Sequence, residues 1–548
     1  MRRKQWFMTR RMGGLISVAV AAMNASACSP SARAKSAQER GDTLSTSMVP
    51  AAMARIGTVD ERYQSFNLEM VEVTGGRFWK PYREIDAKGT ARPSAKAAGD
   101  VPAGMDPSLY EYRPPIDLTN PRLRALAAAL GPAYVRVSGT WANTTYFHDS
   151  DSAPPSTPPK GFGAVLTRQQ WKGVIDFART VDMKIVTSFA TGIGTRDARD
   201  VWTPKEAQKL LSFTKSIGGN IAAAEFMNEP TYAQMGGAPK GYDAAAYARD
   251  VAVFRPFMKK AMPDTVILGP GGVGEGIPQM RIGLAGDSLG SEDLLEATGP
   301  AFDAFSYHSY GATSRRCAVL GPSSQVTKDE ALSEEYLSRA SRIQAFYTAL
   351  RDRYEPGKPI WLTETADAAC GGNPWASTFL DSFRYLDQLG RLAAAGVHVH
   401  MHNTLAASDY GLLDGDTFEP RPNYWAALLW RRLMGAVVLD TGQAPAANLH
   451  LYAHCLRAVP GGVALLAVNL DRTTPRSLHV SATSQRYTLS ARSLTEKRVQ
   501  LNGSDLASGA HGELPPLAGT TVKPGPVNVA PTTITFFAIP EAHNEACR

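Results

Sequence analysis

Two short stretches carry residues that could share one reaction. "AAAEFMNEP" at 222–230 ends in Asn228, Glu229 and Pro230, and "PIWLTET" at 359–365 sets Glu364 between two threonines. In both, a carboxylate interrupts an apolar run of strand length, where an unused charge would be costly. Two facing carboxylates can divide the work of cutting a glycosidic bond. One, kept neutral by its surroundings, gives a proton; the other stays ionised and attacks the anomeric carbon. Taken singly, either glutamate reads equally well as a helix cap or the partner of an arginine. The pairing gives them meaning.

The elements around them set the geometry. Eight apolar runs alternate with helical stretches: 65–73, 133–139, 183–190, 221–230, 265–272, 304–310, 359–365 and 396–405. Helical spacing of apolar residues marks 120–130, 167–181, 242–261, 333–354 and 377–395 between them. Eight strands with crossovers predict a (β/α)8 TIM barrel over 64–433. Glu229 and Glu364 then fall at the ends of strands four and seven. His308 and Tyr310 end strand six, and His400, His402 and Asn403 end strand eight. Barrel chemistry sits at those C-terminal ends. From 434 to 548 helical periodicity fades into short strands parted by Gly, Pro and Asn, which predicts an antiparallel β-sandwich. The segment 49–63 is expected to add a strand to it.

The chain has 548 residues, enough for two domains. Residues 1–28 read as an export signal: a basic head, the apolar run "MGGLISVAVAAM", then "ASAC". The Arg10-Arg11 pair fits a twin-arginine signal, and cleavage before Cys28 would leave a lipidated N-terminal cysteine that anchors the chain to a membrane. The protein is therefore expected outside the cytoplasm, as a periplasmic, surface-anchored or secreted monomer. Residues 29–48 are small and polar, a flexible linker. The formal charge of +7 falls to about +2 once the five cations of the signal are set aside. That gives no reason to expect a nucleic-acid partner. Four cysteines remain beyond Cys28, allowing three pairings, and none is spaced as a zinc site.

Several stretches together resemble glycoside hydrolase family 79, which holds heparanase and related β-glucuronidases. They are "LGPAYVRVSGT" (130–140), "FMNEP" (226–230), "SYHSY" (306–310), "IWLTETADAACGG" (360–372), "SDYGLLDGDTFEPRPNYWAALLWRRLMG" (408–435), "LYAHC" (451–455) and "ITFFAIPEAHNEAC" (534–547). The resemblance implies Glu229 as acid/base, Glu364 as nucleophile and Asn228 as the ligand of the sugar 2-hydroxyl. It implies Tyr310 beside the nucleophile, with His308 on the same wall. Gly371, Gly372 and Tyr410 would hold the glucuronate carboxylate, with Thr140 as a further sugar contact. It implies a Cys455–Cys547 disulfide, a uronic-acid glycan as substrate, and no cofactor or metal. Cys317 and Cys370 are then left as a second pair or as two free thiols. The loop at 141–165 is short where heparanase carries an excised linker, so a single unprocessed chain is expected. A retaining reaction would set the two carboxylates about 5–5.5 Å apart.

Other signals fit less well. "GPGGVGEG" at 269–276 lacks the Lys-Ser/Thr ending of a phosphate loop. His398, His400 and His402 share one strand face and are expected to form a polar barrel lining rather than a metal site. Arg315 and Arg316 could meet acidic groups of a longer substrate or be solvated loop charges. Two rival readings are a polysaccharide-binding protein without catalysis and a β-xylosidase or arabinofuranosidase of the same clan.

Overall fold

The computed structural model describes residues 46–548, except 84, 86–100, 102–104, 281–287, 321 and 444–447. The signal segment, Cys28 and nearly all of the linker lie outside the described residues. No described helix is long and apolar enough to cross a membrane.

Eight parallel strands close on themselves in chain order: β1 (Gln64–Glu69), β2 (Ala133–Ser138), β3 (Met183–Ser188), β4 (Ile221–Glu225), β5 (Val266–Gly272), β6 (Ala304–Tyr310), β7 (Ile360–Ala366) and β8 (Val397–His402). Every residue of β1, β2, β6 and β7 is buried, as expected of strands with the barrel core on one side and helices on the other. The period of two sorts the side chains. Tyr134, Val186, Ala223, Leu268, Ala304, Trp361, Val399 and Met401 form an apolar plug inside the barrel. Two residues further along their strands come Arg136, Glu225, Ser306 and Thr363, a polar layer above the plug.

That sorting corrects one expectation. Val399 and Met401 take the inner face of β8, so His398, His400 and His402 face outward and are not a barrel lining. The rings of His400 and His402 pack against Tyr385 on the helix Phe379–Ala394. Burial pushes both imidazoles down, to about 3 and about 4, so they stay neutral.

The strand expected over 65–73 stops at Glu69, and Met70–Thr74 is helical. Glu72 reaches back to accept the Glu69 N–H at 2.7 Å, a local bond that competes with strand pairing. The run at 221–230 likewise leaves the sheet after Glu225, so Asn228 and Glu229 sit in the turn that follows.

The C-terminal strands include β9 (Met434–Leu439), β10 (Leu449–Leu456), β11 (Val463–Asn469), β12 (Arg476–Val480), β13 (Ser484–Ser490), β14 (Gly525–Val529) and β15 (Thr533–Ile539). A nine-stranded sheet runs from Arg55–Thr58 through β9, β10, β11, β15 and β13 to short edge strands; β12, β14 and Thr46–Met48 form a second, three-stranded sheet. Leu465, Phe537 and Ile539 of the first meet Leu478, Val480 and Val527 of the second in one apolar cluster. The alternate residues Ala464, Leu466 and Phe536 belong instead to the core shared with the barrel. Because β11 and β15 are covered on both faces, all of their residues are buried.

Candidate active site

Glu364, on β7, is held by donors from two other strands. Tyr310 Oη, at the end of β6, donates to Oε1 at 2.6 Å, and Arg136 Nη1, from β2, donates to Oε2 at 2.9 Å. Both contacts favour an anion. Burial and the neighbouring Glu364 push the Tyr310 phenol far above its ordinary value, so it remains a donor.

Arg136 is the hub of the site, and only 1 % of its side chain is exposed. Its Nε and Nη2 both donate to Glu225 Oε2, at 3.0 and 2.8 Å, and Nη2 also donates to Asn228 Oδ1 at 2.7 Å. Burial works against its charge, but Glu225 and Glu364 outweigh that and keep the guanidinium protonated. A guanidinium has no acceptor, so the Asn228 amide must turn its oxygen to Arg136, leaving Nδ2 as the free donor. The Asn143 side chain holds the Asn228 backbone by its N–H and its carbonyl, each at 2.9 Å.

Glu229 follows in left-handed backbone, φ 48°, at the entry to the short helix Pro230–Tyr232. Burial pushes its carboxyl up to about 7, against the pull of Arg136. His308 lies between the acids: Nδ1 is 3.0 Å from Glu229 Oε1, and Nε2 is 3.2 Å from Arg136 Nη2. Arg136 can only donate, so Nε2 accepts and Nδ1–H donates to Glu229. Burial lowers His308 to about 4, which keeps this neutral tautomer through the physiological range. Ligand atoms of Glu229, His308 and Glu364 lie within 4.8 Å of one another. Arg136, bonded to Glu364 Oε2 and to His308 Nε2, sets a positive charge beside this cluster and makes it better suited to proton transfer than to a cation.

A third carboxyl closes the far side. Glu69 ends β1, and Asn403 Nδ2 donates to its Oε1 at 3.0 Å and to the hydroxyls of Tyr310 and Tyr410 at 3.1 Å each. Burial, then the nearby Glu364, pushes Glu69 well above its usual range. Glycine is required at 139, where φ is 91° and an added Cβ would fall 1.6 Å from Glu69 Oε2.

The pocket over these groups encloses about 790 Å³, including space open to solvent, and Thr140, Tyr310 and Tyr410 line it beside both catalytic candidates. Its outer wall is aromatic. The antiparallel pair Gly76–Trp79 and Tyr110–Arg113 brings Trp79 and Tyr110 into a stack with ring centroids 4.5 Å apart, and Tyr110 meets Trp141 edge-on at 6.1 Å.

Gly371 and Gly372 follow the pocket-lining Cys370, with φ 79° and 88°; both are buried and neither is among the residues lining the pocket. Cys370 is joined to Cys317, and Cys455 to Cys547. Arg316 is a buried clamp, not a loop charge. Its Nη1 donates to the carbonyls of Cys370, Gly371 and Gly372 at 3.2, 2.8 and 3.1 Å, and its Nη2 to Lys80 O at 2.7 Å and to Asp409. Arg315 remains at the surface.

The structure thus gathers Asn228, Glu229, His308, Tyr310, Glu364 and Tyr410 in one network and sets Thr140 on its wall. Sequence reasoning missed Arg136, Glu225 and Glu69. A charged residue in an otherwise apolar strand was the available signal for the first two.

A closed parallel barrel with two acids at the mouth is suited to cutting a glycosidic bond, and its relatives show that the chain is a glycoside hydrolase. Residues 115–390 match the N-terminal domain of glycosyl hydrolase family 79, and the chain belongs to that family. It is 26 % identical to heparanase-like protein 1 of Arabidopsis thaliana over 491 residues, covering 79 % of this chain and 86 % of that protein. It is 28 % identical to heparanase of Mus musculus over 515 residues, covering 82 % and 90 %. Among solved structures, a 4-O-α-L-rhamnosyl-β-D-glucuronidase from Fusarium oxysporum 12S shares the fold, with a TM-score of 0.59, 12 % identity, and 90 % and 100 % of the two chains covered.

Proposed function

We propose that the protein hydrolyses β-linked glucuronides with retention of configuration. The carrying observation is the approach of Glu229 and Glu364 across the barrel mouth, with an oxygen of each within 4.8 Å. That closeness suits a nucleophile and an acid/base better than the wider gap, about 6.5–9.5 Å, of an inverting pair. In this reading His308 occupies Oε1 of Glu229, so the acid proton resides on Oε2 and passes to the leaving oxygen as that bond breaks. Glu364 attacks the anomeric carbon and forms the covalent glycosyl-enzyme. Glu229, now an anion, takes a proton from water, whose oxygen displaces Glu364. Asn228 Nδ2 donates to the 2-hydroxyl throughout.

The name of the mouse relative supports a uronic-acid glycan. We assign the uronate carboxylate to the backbone N–H groups of Gly371 and Gly372 and the hydroxyl of Tyr410, as in the family resemblance. Arg316 supports this assignment, since it draws three successive carbonyls to one side and leaves the glycine N–H groups without partners among the described hydrogen bonds. Lysine cannot reproduce that fork. Arg316→Lys is expected to raise KM for an aryl β-D-glucuronide about tenfold, the weight of one lost hydrogen bond to a charged group, and to change kcat less. Steady-state kinetics check this; a KM within twofold of wild type would remove Arg316 from substrate binding.

No lysine or arginine lines the pocket among the described residues, whereas Tyr232, close to Glu229, and Met235 and Met280 do. We therefore place an uncharged group, aryl or sugar, on the leaving side. Unsulfated glucuronides should exceed sulfated oligosaccharides in kcat/KM by at least about tenfold, since a sulfate there would lose water without gaining a cation. The deciding experiment follows an aryl β-D-glucuronide by proton NMR. The β-anomer released first supports retention; the α-anomer overturns it.

We also propose 64–433 as the catalytic barrel and 434–548, with 49–63, as an accessory β-sandwich. Export, with or without a lipid on Cys28, rests on the character of residues 1–28.

A further inference from the structure

Glu225 does not line the pocket, yet it is the most heavily bonded carboxylate at the barrel mouth. Its Oε2 accepts Nε and Nη2 of Arg136, while its Oε1 accepts Ser306 Oγ at 2.9 Å and Thr363 Oγ1 at 2.8 Å. Four donors from β2, β6 and β7 thus converge on one side chain of β4. Arg136 in turn gives Glu364 a single N–H and gives Asn228 another.

We infer that Glu225 is a positioning residue for the hydrolytic reaction, taking two N–H groups of Arg136 so that the guanidinium reaches Glu364 through one. This rests on the retaining mechanism proposed above. An arginine buried beside one carboxylate alone would close on it as a two-bonded pair, the favoured geometry of these groups. Such a pair would tie up both oxygens of Glu364, one of which must leave its hydrogen bonds to attack the sugar. With Glu225 present the guanidinium charge is already balanced. Its fork is fixed side-on to Glu225, and Glu364 is left with one oxygen on Arg136 and the other on Tyr310. The same orientation points Nη2 at Asn228 and His308, so one carboxylate sets the direction of three site residues through Arg136. Arg136, His308 and Tyr247 face Glu225, with Glu364 and Glu229 beyond. Burial raises Glu225, but the charge and hydrogen bonds of Arg136, with the Thr363 hydroxyl, outweigh it and hold Glu225 below its ordinary value, so it carries its charge at neutral pH.

The test is Glu225→Gln in the full chain, assayed on an aryl β-D-glucuronide. The expected result is a fall in kcat on the order of tenfold or more, with KM nearly unchanged. The basic limb of the pH–rate profile, set by Glu229, should also move down by about one pH unit, because a charge opposing Glu229 ionisation has gone. Loss of activity with an unmoved limb would reduce Glu225 to a structural residue, and unchanged kcat would overturn the inference. A second readout needs no substrate. With glutamate carboxyls labelled with carbon-13, the Glu229 signal, assigned by its disappearance in Glu229→Gln, should titrate at lower pH in Glu225→Gln. If the wild type cleaves no glucuronide, the functional reading fails, while this titration still decides the role of Glu225. If Glu225→Gln does not fold, Glu225→Asp keeps the charge and shortens the reach. It should lower kcat and leave the limb in place; full kcat in that variant would also overturn the inference.

Discussion

Glu364→Gln is expected to lose hydrolysis of aryl β-D-glucuronides by a factor on the order of 10⁴ or more, the scale seen when a covalent nucleophile is removed. The amide has the shape of the carboxylate; its oxygen can still accept from Arg136 while its NH2 group donates to the Tyr310 hydroxyl, so the fold should survive and the loss should be chemical. The structure supplies two reasons for so large an effect. The Tyr310 and Arg136 bonds both stabilise an anion on this side chain. The other described carboxylates at the mouth are less suited to attack: Glu225 lies outside the lining, and burial pushes Glu69 and Glu229 toward their neutral forms. A 2-deoxy-2-fluoro glucuronosyl fluoride, which forms the covalent intermediate and releases it slowly, should add its mass to the wild type on the peptide holding Glu364. Label on any other glutamate, or more than a few per cent activity in the amide variant, would remove Glu364 from the role.

Glu229 should show itself through pH and leaving group together. Its carboxyl, pushed by burial up to about 7, carries the proton below that pH and loses it above. For a substrate with a poor leaving group, kcat/KM should therefore fall about tenfold per pH unit on the alkaline side of 7. In Glu229→Gln that limb should vanish, and kcat/KM for the poor leaving group should drop by about 10² to 10⁴. A dinitrophenyl glucuronide needs no proton and should keep most of its first-step rate. Hydrolysis of its intermediate would then be slow, and added azide should speed turnover by replacing the base-activated water. A variant equally impaired on both substrates, or a limb that persists, would assign the acid elsewhere.

Both glutamates were legible in sequence because Glu364 interrupts an apolar strand run and Glu229 closes one, and the barrel followed from eight such runs. What stayed hidden depends on facing. Alternation shows that His398, His400 and His402 share a side of β8, but not which side. Only the packing of Val399 and Met401 decides that. Arg136 sits two residues after Tyr134, so its inward direction could have been read once Tyr134 was known to fill the plug. Arg316 was hidden for a different reason. Its partners Lys80, Asp409 and the 370–372 carbonyls are far apart in sequence, so nothing local distinguishes it from the exposed Arg315. Trp79 and Tyr110 of the aromatic wall come from a strand pair inserted after β1, while Trp141 follows β2, and such long-range pairing leaves little local trace.

The left-handed backbone at Glu229 carries a cost that the reaction does not recover. For a side chain with a Cβ, that conformation is less favourable by about 1–2 kcal/mol, and glycine or asparagine would adopt it with less strain. A change at this one position could thus make the fold more robust while abolishing its chemistry. With Glu229 as the proposed acid, selection for heat tolerance alone would press against it, and demand for the cleaved sugar would press for it.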